Sequence, residues 1–153
     1  MKTQFDILRG LRKTVLNNTA ELTEAQYNTI PKHNNNNVIW NMTHILSIQQ
    51  LLTYGMTKNP YTIDDSMIFP FKKNTKPETN YAMDFIEKVR NAMLHQVDVL
   101  EQRYNEGILN NVPVPFRSSL GIEFDTIEGI IQFNTMHETL HITVINQYLK
   151  EIR

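Results

Sequence analysis

Apolar side chains at helical spacing dominate this chain, in four stretches separated by connections that carry most of the prolines. The first stretch covers about residues 3–17, with Phe5, Leu8, Leu11, Val15 and Leu16 near one face. The second covers about 38–57 and places Trp40, His44, Ile48, Leu51 and Leu52 on one face, flanked by Ile45 and Met56. The third covers about 79–105, its stripe made of Ala82, Ile86, Val89, Met93, Val97, Leu100 and Tyr104. The fourth starts from a cap at Asp125 or Thr126 and reaches about Lys150.

The connections narrow the architecture. Residues 21–30 predict a connector with a short helical turn capped by Thr23 and closed by Pro31, and the tract His33-Asn34-Asn35-Asn36-Asn37 predicts a loop that ends in an N-cap. Residues 59–77 contain Pro60, Pro70 and Pro77, and residues 107–124 contain Pro113, Pro115 and Gly121. Both are too long for tight hairpins and predict crossings, the second with some extended structure around 112–116. Strand patterns are too weak for an α/β protein. The predicted fold class is all-α: a four-helix bundle with long crossover connections, in up-down-down-up or related order, where metal sites form between facing helices. A length of 153 residues fits one domain over 1–153.

Charge and cysteine usage exclude several functions. Lys and Arg number 15 against 16 Asp and Glu, giving a net charge of −1 with no basic run, so no nucleic-acid footprint is present. The absence of Cys excludes disulfides, thiolate nucleophiles and cysteine metal sites. The first residues lack the apolar core of a signal peptide and no stretch approaches membrane-spanning length, so a cytoplasmic protein without a membrane partner is expected.

Histidine placement carries the chemistry. His33 lies in the polar loop, and His95 falls opposite the third stripe, so both are expected to face water. His137 and His141 fall in a sector of the last helix with Ile130, Phe133, Asn134, Val144, Ile145 and Tyr148, and His44 lies in the stripe of the second. Burying a polar group without a partner costs about 1–3 kcal/mol, so three inward imidazoles require compensation. One divalent ion, zinc or nickel, compensates all three, because residues at i and i+4 share a face and reach an ion at about 2.0–2.1 Å. Three neutral histidines leave coordination positions open, as in a catalytic site. An unmetallated cluster hydrogen-bonded to its neighbours is the alternative. Asn41 and Asn134 each precede a candidate ligand by one turn and are candidates to orient ligands or substrate, with local hydrogen bonding as their other role.

The segment His137-Glu138-Thr139-Leu140-His141 also satisfies the His-Glu-x-x-His pattern of zinc proteases. The further Gly and His of one such class are replaced by Val144 and Gln147, and Glu151 on the same helix is poorly placed to close a site. Glu138, about 100° from His137, is expected to be solvated.

Together the helix plan, the segment Asn36-Asn37-Val38-Ile39-Trp40-Asn41-Met42-Thr43-His44-Ile45-Leu46 and the pair His137 and His141 resemble the DinB-like (DinB/YfiT) superfamily of four-helix-bundle metal-dependent enzymes. The resemblance covers essentially the whole chain. It implies that His44, His137 and His141 are metal ligands, and that the partner is a small molecule, with a low-molecular-weight thiol such as bacillithiol, mycothiol or glutathione serving transferases and isomerases of that group. It also implies a homodimer. Family members often carry a small residue two positions beyond the second histidine of the pair, where this chain has Thr143. The expected function is thus a divalent-metal-dependent enzyme with a three-histidine site, a thiol-dependent S-transferase or related catalyst. A metal-dependent hydrolase and a non-catalytic metal- or ligand-binding bundle are the alternatives.

Overall fold

The computed structural model describes all of residues 1–153 and is all-α apart from one two-residue β-ladder. Helix α1 spans Lys2–Asn18, α2 Glu24–Asn28, α3 Val38–Gln49, α4 Met83–Asn105 and α5 Ile127–Ile152. Strands β1, Phe116–Arg117, and β2, Glu123–Phe124, pair antiparallel. Helices α1 and α3 each pack against both α4 and α5, so the four long helices surround a shared core. No helix is long and apolar enough to cross a membrane.

Capping sets several helix starts where the sequence places them. Thr23 and Gln26 form a reciprocal capping box at α2, Asn37 Oδ1 accepts from the Trp40 amide at 2.9 Å, and Thr126 Oγ1 accepts from the Gly129 amide at 3.2 Å. The third predicted helix starts later than expected. Asn28 exchanges hydrogen bonds with the Tyr81 backbone at 2.8 and 2.9 Å, and Glu24 accepts from the Met83 amide at 2.9 Å. The short α2 thereby holds Tyr81 and Ala82 outside the helix, and Ala82 becomes the exposed, extended N-cap instead of a core residue.

The second predicted helix is α-helical only to Gln49, and Gln50–Gly55 form a π-helix. The change coincides with Thr53 and Thr57, whose hydroxyls donate to the carbonyls of Gln49 and Thr53 at 2.6 and 2.7 Å, and with Gln50, whose amide is drawn sideways onto Thr62 and Gln96. The crossing over 59–77 contains two 3-10 turns, Asp65–Met67 and Phe69–Phe71. It is fastened to α3 where Ser47 donates to the Ile68 carbonyl at 2.7 Å.

Two apolar clusters fill the interior. Val15, Ile39, Met42, Ile45, Val89, Met93 and Ile145 belong to the larger, and Phe5, Leu8, Val97, Leu100, Ile127, Ile130 and Ile131 to the smaller. In sequence, a buried polar residue stands at the junction in three helices: Arg12 between Leu8 and Val15, Gln49 between Leu46 and Leu52, and Glu138 between Ile131 and Ile142. Arg12 and Glu138 are both 0% exposed and form a bidentate pair at 2.5 and 2.9 Å. Arg12 also donates to the Met93 carbonyl at 2.8 Å and to Gln49 Oε1 at 2.5 Å, so this one guanidinium reaches all three other long helices. The expectation that Glu138 is solvated is overturned: it sits at the centre of the buried face of α5.

The second crossing carries the β-ladder to α5. Gly129 permits the approach, since a Cβ there would lie 3.0 Å from the Phe124 ring. Phe124 then packs with Phe116 and Phe133 at ring separations of 6.2 and 5.4 Å, and this aromatic group builds one wall of the site.

Candidate metal centre

Three rings from two helices meet on the lining of a cavity of about 510 Å³. Helix α3 brings His44, and α5 brings His137 and His141 from successive turns. Nitrogen atoms of the three lie within 4.8 Å of one another, a grouping that could hold a metal ion. His137 Nε2 is 3.3 Å from His44 Nε2 and 3.1 Å from His141 Nε2. Ligands held at about 2.0–2.1 Å around a tetrahedral ion stand about 3.3 Å apart, so the spacing suits a shared cation.

The outer partners decide where the protons sit. His44 Nδ1 lies 2.5 Å from the Phe71 carbonyl, which only accepts, so Nδ1 carries the hydrogen and Nε2 presents a lone pair. His141 Nδ1 donates to Asn41 Oδ1 at 2.8 Å, and the Asn41 amide nitrogen donates in turn to the Asn37 carbonyl at 2.8 Å, which fixes its orientation. His141 Nε2 therefore also presents a lone pair. A single hydrogen on His137 Nε2 can serve only one of these two neighbours; a cation serves all three nitrogens at once. His137 Nδ1 is buried without a partner.

Burial also discourages protonation. Desolvation holds the His44 imidazole below its ordinary pKa, partly offset by the Phe71 carbonyl. It lowers His137 to about 4, with a contribution from His44, and His141 to about 3, with contributions from His44 and His137. At neutral pH the cluster thus keeps its lone pairs. These shifts predict an acid-sensitive metal-free protein. The unfolded chain, with histidine pKa about 6.5, binds protons that the folded state refuses, so stability is full above about pH 6.5 and falls as pH drops toward 3–4. Chemical denaturation of metal-free protein across that range checks this, against a His137→Gln/His141→Gln variant in which the slope becomes shallower.

Trp40 stacks on His44 with ring centres 4.6 Å apart and planes 14° apart. With Ile48, Leu52, Phe116 and Phe133 it makes the cavity walls largely apolar, and no Asp or Glu borders the space. Of the other predicted residues, Asn41 contacts His141 as described, whereas the Asn134 amide donates to Glu138 at 2.8 Å and forms no hydrogen bond with a histidine. His33 and His95 are exposed, as the sequence predicts. Thr143 is exposed too and does not border the cavity, so its size has no bearing there. The zinc-protease alternative fails on Glu138, whose carboxylate is clamped by Arg12 and is closed to solvent.

Sequence reasoning missed Arg12 and the loop contributors Lys73, Asn74, Arg117 and Ser119 to the cavity rim. For Arg12 a signal existed, since it stands four residues after Leu8 and three before Val15 in the apolar stripe of α1. For the rim residues none did.

No curated protein matches the chain. Residues 7–145, which include Arg12, the three histidines and Glu138, match the family model described as the DinB superfamily. With that match over most of its length and an all-α fold, the chain belongs to the DinB superfamily.

Proposed function

We propose that this protein is a divalent-metal-dependent enzyme, with His44, His137 and His141 as ligands through Nε2 and zinc or nickel as the ion, and that it transfers a low-molecular-weight thiol to an electrophile. The observation that carries the reading is the convergence of three Nε2 atoms at 3.1 and 3.3 Å, two of them held as lone-pair donors by the Phe71 carbonyl and Asn41. A bound divalent ion supplies the acidity that ionises a thiol at neutral pH. The chain has no Cys, so the sulfur must arrive with the cosubstrate.

The cavity favours thiol transfer over hydrolysis. No carboxylate borders it to relay a proton from water, and Glu138 is locked to Arg12. A thiol, with pKa about 8.5, needs less help to ionise than water does. In the transfer the thiol proton leaves to solvent, the sulfur electron pair forms the new C–S bond, and the leaving group departs with its bonding electrons. Trp40, Phe116 and Phe133 exclude water from an apolar electrophile.

Untagged, metal-loaded protein is expected to turn over alkyl or aryl electrophiles only with added thiol, and to lose that activity on chelation or as His137→Ala. Ester or amide cleavage without thiol would replace this reading with hydrolysis. Protein that neither retains metal on native purification nor gains stability from added zinc or nickel would end the metal reading altogether.

A further inference from the structure

The geometry points to an anion-selecting element on the exposed lining of the same cavity: Lys73 and Arg117 choose a ligand that carries a carboxylate. This rests on the metal reading above and extends it to the chemical class of the ligand.

The two cations come from unrelated segments. Lys73 follows the 3-10 turn at Phe69–Phe71, and Arg117 ends β1. Both border the cavity and both are exposed, yet neither forms an ion pair or a side-chain hydrogen bond. Glu123 stands opposite Arg117 in the ladder, but it makes no ion pair with it and does not border the cavity. With no Asp or Glu on the lining, the mouth is positive on a low-dielectric wall, where fields are focused rather than dispersed.

The backbone around Lys73 is held by local contacts. The Thr75 hydroxyl donates to the Lys72 carbonyl at 2.8 Å, and Asn74 takes the left-handed conformation at φ 68. Two residues before Lys73, the Phe71 carbonyl accepts from His44. The loop that holds one candidate ligand therefore also presents one cation. A molecule that fits presents its reacting atom to the histidines, apolar surface to Trp40 and Phe133, and a carboxylate to Lys73 and Arg117.

The test uses untagged protein loaded with cobalt(II), whose thiolate charge-transfer band reports sulfur on the ion. The probes are a series of ω-mercaptoalkanoates and their matching amides. At the best chain length the carboxylate is expected to bind about tenfold more tightly than its amide, the scale of one or two partly exposed charge contacts. Added salt should shrink that preference. In Lys73→Gln/Arg117→Gln the carboxylate-to-amide ratio should collapse toward one, which separates the rim cations from the attraction of the ion itself. Equal affinities in the parent, or a preference that survives in the double variant, would overturn the anion selection while leaving the metal centre intact. No charge-transfer band with any thiol would instead overturn the metal-thiol reading, and this inference with it.

Discussion

Arg12→Met is expected to destabilise the protein by about 3–5 kcal/mol, the cost of leaving a buried carboxylate without its partner. For a chain of this length that is a fall in melting temperature of about 6–20 °C. The size follows from position. Both side chains are 0% exposed, the pair is bidentate, and the guanidinium also donates to Gln49 and to the Met93 carbonyl. Glu138→Leu alone should cost on the same scale, because it strands a buried cation. The double variant Arg12→Met/Glu138→Leu should recover much of the loss, since no charge then remains buried. Recovery stays partial, because Gln49 Oε1 and the Asn134 amide lose partners. Chemical denaturation of the four proteins gives the coupling directly. An Arg12→Met protein within about 1 kcal/mol of the parent would show that the pair does not hold the helices together.

The same pair explains where the sequence misleads. Helix existence, the caps at Thr23, Asn37 and Thr126, and the meeting of His44 with His137 and His141 all follow from spacing and residue type. The phase of α5 does not. Taking the histidines as the centre of the buried face places that centre about 80° from where it lies, close to one residue of rotation. The buried face runs through Ile131, Thr135, Glu138, Ile142, Ile145 and Leu149, and the two histidines stand on its flank, where the cavity opens. A glutamate amid those residues reads as a solvated charge until its partner is known, and that partner is 126 residues away. Burial of the pair is a long-range fact that no local window holds.

This displacement serves the site. Histidines at the centre of the face would be sealed in the core; on its flank they keep one side toward the cavity while the His141 Nδ1 reaches Asn41. Gln50–Gly55, in π-helical form after α3, and the approach allowed by Gly129 shape the opposite walls. Neither is visible in apolar periodicity, because both depend on side chains from other segments, Thr62 and Gln96 in one case and Phe124 in the other.

Single alanine substitutions at His44, His137 or His141 are expected to weaken zinc or nickel binding by about 10²–10³-fold. Structural zinc sites with four ligands release about 10–16 kcal/mol, so one ligand accounts for about 3–4 kcal/mol, or about that factor. Asn41→Leu removes the acceptor that holds His141 in its Nδ1–H form and should weaken binding by a smaller factor, about 10–100-fold. His33→Ala and His95→Ala, both at exposed positions, should leave affinity unchanged. Competition against a chelator, on untagged protein stripped and refilled with one metal, measures all six. Circular dichroism confirms that each variant is folded, which is expected because removing a desolvated imidazole does not strand a charge. The order, ligand first, then Asn41, then the two exposed histidines, is the signature of a centre built as described. A ligand-position variant that binds as tightly as the parent would show that its ring is outside the coordination sphere, and an Asn41→Leu variant weaker than all three would move the site's dominant contribution from the rings to the amide behind them.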